Sequence, residues 1–403
     1  MSFQQGLSGL NAAAKGLDAV SNNVSNAATV GFKGASAQFS DVYAASIAGG
    51  GSGQIGIGVN LSQVKQSFTQ GNVSVTNNPL DVAINGGGFF RMSENGAITF
   101  TRNGQFLVDK DGYVVNSTGA HLTGYVANAA GVIVPSSPTD LMISSSDLVP
   151  NPTTTGALGL NLDSRDTVPA LPFLYTDPTT YNSSTAMTVY DSLGNSHVMS
   201  LYFRKTAANT WQVYTGLDGA APAPAAGTTM TFTSAGAVNT GGTIGPLAFA
   251  VTTGANPLSI TLDLTTATQF GSTFGVNSMT QNGYTSGRLS GLSISSEGVI
   301  QGRYSNGQSR DLGQIVLANF ANPNGLQSLG ANQWSETADS GQPLVGAPNS
   351  GSLGALQSAA VEESNIDLTG ELVNMITAQR NYQANAQSIK TQDAIMQTLV
   401  NLR

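Results

Sequence analysis

Apolar residues near the start of the chain recur at alternating spacings of four and three. Phe3, Leu7, Leu10, Ala14, Leu17 and Val24 share one stripe, with polar Ser21 filling a slot. That spacing predicts a helix over 3–24, roughly 36 Å long. The pattern breaks at "SNNVSNAATVGFKG", where Asn, Thr and Gly cluster as a stop signal. At the other end, Leu372, Met375, Gln379, Tyr382, Ala386, Ile389, Asp393, Met396 and Val400 repeat the same spacing. A helix over 368–403, roughly 54 Å long, is expected there. Ser364 with Asp367 reads as its capping box, and Asp367 and Glu371 suit the positive end of the helix dipole. Two of the seam positions, Gln379 and Asp393, are polar; buried in a seam, they would cost stability and set register. The seam runs on without a capping signal, which calls for a partner.

Between these stripes the period changes from three-and-four to two. In "PLSITLDL", Leu258, Ile260, Leu262 and Leu264 alternate with Ser259, Thr261 and Asp263, the pattern of a half-buried strand. "TAMTVYDSLGNSHVMSLYF" reads as a hairpin turning at Gly194-Asn195. Further hairpin turns are expected at Asn103-Gly104, Asp111-Gly112 and Asn306-Gly307. No middle segment reads as a long amphipathic helix. The fold class expected is therefore mainly β with α-helical termini: two β domains, one inserted in the other, plus a terminal coiled-coil domain.

Composition shifts suggest the boundaries. "IAGGGSGQIGIG", residues 47–58, holds six glycines in twelve, as in a linker or a chain threading past a neighbour. "LVPNPTTTG", near 149–156, looks like a domain crossing. Residues 206–287 contain only the charges Asp218 and Asp263. The expected organisation is a terminal helical domain from 1–30 and 363–403 and a Gly-rich connecting segment, 31–70. A discontinuous β domain follows, 71–147 and 285–362, with an inserted outer β domain, 148–284.

Charge and chemistry then exclude whole classes of function. With 15 basic residues, scattered, and a net charge of −8, the chain lacks the clustered cations that bind nucleic acid. It has no cysteine, which removes disulfides, thiolate chemistry and Cys-based metal sites. No apolar run approaches the ~20 residues of a membrane span. The first residues have neither a basic n-region nor an apolar h-region, so no Sec-type signal peptide is read there. That start suggests the cytoplasm, whereas a charged fraction of only 9% and a surface rich in hydroxyls and amides suggest the exterior.

Catalytic and cofactor readings fail on the residues available. His121 and His197 are both read as exposed turn residues. Asp109 to Gly112, "DKDG", resembles part of a calcium loop, but a strand follows where that loop needs a helix. "NGGGFF", Asn85 to Phe90, continues as strand where a phosphate loop must open a helix. No metal-ligand cluster and no Ser/His/Asp set stands out. The expectation is a protein that is not an enzyme, with no cofactor and no metal. An extracellular carbohydrate-binding or hydrolytic protein is the rival from another class. It would need paired carboxylates or an aromatic face, and aromatics are 7% with two Trp.

"SGLNAAAKGLDAVSNNVSNAATVGFKG" resembles the N-terminal signature of the bacterial flagellar axial proteins, the rod and hook group, through Asn22, Asn23, Asn26, Gly31, Phe32 and Lys33. The C-terminal stretch is similar to the same group's second signature through Glu363, Asn365, Asp367, Glu371, Gln379, Arg380, Tyr382, Gln383, Ala384, Asn385 and Asp393. "LDVAINGGGFFRM" and "TRNGQFLVDKDGYVVN" look like the hook and distal-rod body. "TVYDSLGNSHVMSLYF" looks like the inserted outer domain of the hook members, with distal-rod and hook–filament junction members as alternatives.

The resemblance implies a self-assembling tube that passes motor torque to a filament as a flexible joint. It implies export through the flagellar type III channel without a cleaved signal. The partners implied are copies of the chain itself, the distal rod, hook cap and hook–filament junction proteins, and the export apparatus. The two helical stripes become the expected assembly interface, together with Asn22, Asn23, Asn26, Phe32 and Arg380.

Overall fold

The computed structural model describes residues 3–42, 56–128, 131–144 and 146–401. Helix α1 spans Phe3–Ser25 and helix α2 spans Leu368–Asn401; every other long element is a strand. The fold is mainly β with a helix at each end, as the two periodicities require. Two compact units emerge, one of Met1–Ser144, Gly291–Arg303 and Ser309–Arg403, the other of Ser145–Ser290 and Tyr304–Gln308. The terminal helices thus fall in the same unit as the first β body.

In the first unit, strands Phe89–Glu94 and Ala97–Thr101 pair across an Asn95-Gly96 turn and join a sheet with His121–Val126 and Gln333–Ser335. Phe89, Phe100, Phe320 and Trp334 are buried together beside half-buried Phe68. Their rings meet edge to face, with Phe100 and Phe320 centroids 4.8 Å apart and Phe89 and Trp334 centroids 5.7 Å apart. That is the arrangement favoured by the ring quadrupoles.

The connecting segment expected at 31–70 proves largely structured. Strands β1 (Ala35–Val42) and β2 (Gly58–Gln66) form an antiparallel hairpin with a bulge at Gln38/Phe39. Their alternation was hidden because none of their side chains is fully buried, so polar residues occur on both faces. Most of the glycine run read as a linker, residues 47–55 of 47–58, lies outside the described residues.

The second unit holds two five-stranded sheets. The alternating run behaves as read: Leu258, Ile260, Leu262 and Leu264 are buried while Ser259 and Asp263 are exposed. Strands Ser183–Tyr190 and Ser196–Ala207 form the expected hairpin. Its turn closes from the Gly194 N–H to the Asp191 carbonyl, 3.0 Å. The core draws on both sheets, with Leu158, Leu160 and Leu262 packed in one cluster with Met199, Phe203 and Trp211.

Several local expectations are corrected. Asn103-Gly104 is no hairpin turn; a Cβ on Gly104 would overlap the Val82 carbonyl, so this glycine permits two backbones to touch. Asp111-Gly112 and Asn306-Gly307 do sit at turns, each glycine with positive φ. His121 is partly covered, its ring stacked on Tyr113 at 4.6 Å and its Nδ1 2.8 Å from Asp140 Oδ2. His197 is buried, with 6% of its surface exposed. A strand places the latter's ring under flanking carboxylates that lie 6 and 21 residues away in sequence.

Candidate assembly interface

The two terminal helices lie antiparallel, and glycine decides how. A Cβ on Gly6 would stand 3.1 Å from Ile389 Cγ1, and one on Gly9 would stand 2.7 Å from Asn385 Oδ1. Gly6, Gly9, Ala13, Gly16, Val20 and Asn23 follow the same three-and-four spacing as the leucine stripe. At about 100° per residue, they lie roughly a quarter turn round the helix from it. Small residues let two helix backbones approach closely, so α2 takes the Gly6–Gly9 end of this stripe, while Gly16 and Asn23 turn to the β1–β2 hairpin.

The leucine stripe is consequently left at the margin. Phe3 and Leu7 are exposed, at 55% and 43%, and Leu10, Ala14, Leu17 and Val24 are half-buried. On α2, Met375, Ala386 and Ile389 are half-buried, while Leu372, Gln379, Arg380, Tyr382, Asp393, Met396 and Val400 are exposed. The polar seam positions Gln379 and Asp393 therefore do not set register within one chain. By the Gly6–Ile389 register, α2 continues for about two turns past Phe3. Ile395, Met396 and Val400, which are 55%, 62% and 71% exposed, lie on that extension. Phe3, Gly6, Ile389 and Ile395 line an open groove of about 420 Å³ there.

The β1–β2 hairpin also packs on α1. Gln5 Nε2 donates to the Gly56 carbonyl at 2.7 Å, and Gly16 faces the Phe39 ring. At the far end of α1, Asn23 is buried and its side-chain amide pairs with the Ala35 backbone. Nδ2 donates to the Ala35 carbonyl at 2.8 Å, and Oδ1 accepts from the Ala35 N–H at 2.9 Å. Asn26 closes the helix locally, donating to the Asn22 carbonyl and side chain at 3.0 and 3.1 Å. Half-buried Phe32 donates its N–H to the Thr29 carbonyl at 3.2 Å.

Beneath the helix ends sits a buried ion cluster. Glu362 Oε1 accepts from Lys33 Nζ at 2.6 Å and from the Gly71 N–H at 2.9 Å. Its Oε2 accepts from Arg102 at 3.1 Å. The Lys33 and Glu362 side chains are fully buried and that of Arg102 nearly so. Lys33 also donates to the Thr69 carbonyl at 2.7 Å and Arg102 to the Gly86 carbonyl at 2.8 Å. Burial pushes both cations below their ordinary pKa, against the opposing pull of Glu362. Alongside, Asn365 accepts from the Gly34 N–H at 2.9 Å and donates to the Ser67 carbonyl at 2.8 Å. Five chain segments are thereby pinned at one point.

The α2 cap differs from the expected box. Asp367 itself is the N-cap, its Oδ1 accepting from the Thr369 N–H at 3.0 Å, and Ser364 bonds the Ile366 N–H outside the helix. Sequence reasoning missed the glycine stripe, Glu362 and Arg102. The stripe was legible by its spacing; the ion cluster spans 260 and 329 residues of chain and left no local signal.

Four family models match along the chain. "Flagella basal body rod protein" covers 3–33 and "Flagellar hook protein FlgE/F/G D1 domain" covers 83–149. "Flagellar basal body protein FlaE D2 domain" covers 161–284 and "Flagellar basal body rod FlgEFG protein C-terminal" covers 357–402. Together with paired terminal helices rooted on a β body, they define the class: a flagellar axial structural protein. The chain is 45% identical to the flagellar hook protein FlgE of Salmonella typhimurium and 44% identical to that of Escherichia coli, covering all of each chain. It is 32% identical to that of Borreliella burgdorferi, covering all of this chain and 99% of the other. The chain belongs to the flagellar hook protein family, whose members are structural subunits of the hook. A solved structure of Helicobacter pylori FlgE2 shares the fold, with a TM-score of 0.52 at 14% identity over 72% of this chain and all of that one. Among the described residues no helix is long and apolar enough to cross a membrane.

Proposed function

We propose that this subunit polymerises into the flexible tube that joins the flagellar motor to its filament, and that the terminal segments 1–30 and 363–403 form its inner, coiled-coil layer. The observation that carries this reading is the apolar surface left open on paired helices. Phe3, Leu7, Leu372, Ile376, Met396 and Val400 are all at least 43% exposed after α1 and α2 have packed together. Exposed apolar stripes of this kind are covered by association, with copies of the same helices as the natural occupants. The β domains, 71–147 with 285–362 and 148–284, would form the outer layers.

Torque transmission needs stiffness in twist and compliance in bending. Continuous helix packing supplies the first. Outer surfaces poor in charge would supply the second, because few ion pairs need breaking as neighbours slide on each rotation. At the two ends of the tube the same helical faces would meet the distal rod, hook cap and hook–filament junction proteins. Delivery would run unfolded through the flagellar export apparatus, without a cleaved signal, to the cell exterior.

The test is electron microscopy of the purified chain after salting-out, which strengthens apolar association. Tubes of uniform width are expected from the full chain. A chain lacking residues 1–30 should keep a folded β body and form none; tubes from that truncated chain would overturn the reading.

A further inference from the structure

The second unit contains a buried histidine held on both sides. His197 Nδ1 lies 2.6 Å from Asp218 Oδ2, and Nε2 lies 3.3 Å from Asp191 Oδ2. An ionised carboxylate only accepts, so each ring nitrogen must carry a hydrogen, and that is true only of the imidazolium. Both carboxylates are committed to the ionised form. Asp191 is fully buried and also accepts from Thr253 Oγ1 at 2.7 Å, from Asn195 Nδ2 at 2.9 Å, and from the Leu193 and Asn195 N–H groups at 2.9 Å each. Asp218 Oδ1 accepts from the Val198 N–H at 2.8 Å.

We infer that Asp191, His197 and Asp218 form a proton-operated clasp that locks the Asp191–Asn195 turn to the turn at Asp218 and Gly219. Asp218 and Asp191 are the titratable groups acting on the ring; burial opposes its charge, and together they outweigh burial and raise its pKa. Loss of the proton leaves a ring nitrogen lone pair facing a carboxylate. Asp191, at 0% exposure, holds its remaining donors, whereas the Asp218 side chain is 50% exposed and water can replace the imidazole there. The turn at Asp218 is therefore the one released as pH rises. Backbone geometry sharpens this: Asp218 sits at φ +49°, a conformation that its side-chain bonds help to hold.

The chain has two histidines, so ¹⁵N-histidine labelling of the full-length protein yields ring-nitrogen signals from two imidazoles, two per ring, and the variant H121N assigns them. The expected result is a doubly protonated His197 that titrates above the ordinary imidazole value of about 6.5, with D218N moving the midpoint down. Amide protection at Val198 and Asp218 should fall on the order of tenfold across the titration, the effect of losing a hydrogen bond to a charged group. A midpoint at or below the ordinary value, or one indifferent to D218N, would overturn the clasp. Protection unchanged across the titration would overturn its release.

Discussion

Gly9 of α1 lies against Asn385 of α2 so closely that a Cβ added to the glycine would stand 2.7 Å from the amide oxygen. No real Cβ tolerates that approach without movement. The Asn385 side chain can turn aside, so Gly9→Val is expected to cost at the low end of about 1–3 kcal/mol. That cost arises through crowding of the α1–α2 contact and loss of the Asn385 amide's bond to the Asn381 carbonyl. The β body, anchored elsewhere, should melt unchanged by circular dichroism, while salting-out yields no tubes. Normal tubes from this variant would show that the α1–α2 contact is dispensable.

The Glu362 carboxylate neutralises two buried cations, Lys33 and Arg102. Glu362→Gln leaves Lys33 and Arg102 facing each other without compensation, and a loss of roughly 3–5 kcal/mol is expected in urea unfolding. Replacing all three with apolar residues of similar volume should restore most of that stability. If the triple replacement is as unstable as the single one, the cluster contributes more than charge balance.

Asn23 imitates a strand neighbour, offering one donor and one acceptor to the Ala35 backbone. Asn23→Ala removes both and should cost about 1–3 kcal/mol, seen as lost hydrogen-exchange protection at Ala35. Asn23→Asp is expected to fare no better, since a carboxylate cannot donate to the Ala35 carbonyl. Protection equal to the parent chain in either variant would mean that α1 is held at this end by packing alone.

Acid should weaken the second unit. Burial opposes ionisation of Asp191 and Asp218, yet hydrogen bonds from Asn195, Thr253 and His197 to the first, and from His197 and Val198 to the second, hold both below the usual carboxylate range. Their folded pKa values lie below the unfolded value of about 3.9, so their contribution is present above it. It is lost as pH falls from there through the folded values. Trp211 lies in this unit and Trp334 in the other, so a Trp334→Phe chain reports the second unit's melting by fluorescence. Its Tm should drop between pH 5 and 2, and less steeply in Asp191→Asn.

The helix at each end, the β character between and the buried face of Leu258–Leu264 were legible from the sequence alone. Periodicity is a property of neighbours in the chain, and burial of one face acts on it directly. The family signatures at Asn22 to Lys33 and at Glu363 to Asp393 were equally local. Tertiary structure alone decided which stripe of α1 meets α2: both repeat at three and four, and close approach selected the glycines over the leucines. Only the fold could bring Lys33, Arg102 and Glu362 to one point, or turn His197 from an apparent turn residue into a buried ring held between two carboxylates. Charges that pair across tens or hundreds of residues answer to three-dimensional distance, which the order of residues does not encode locally.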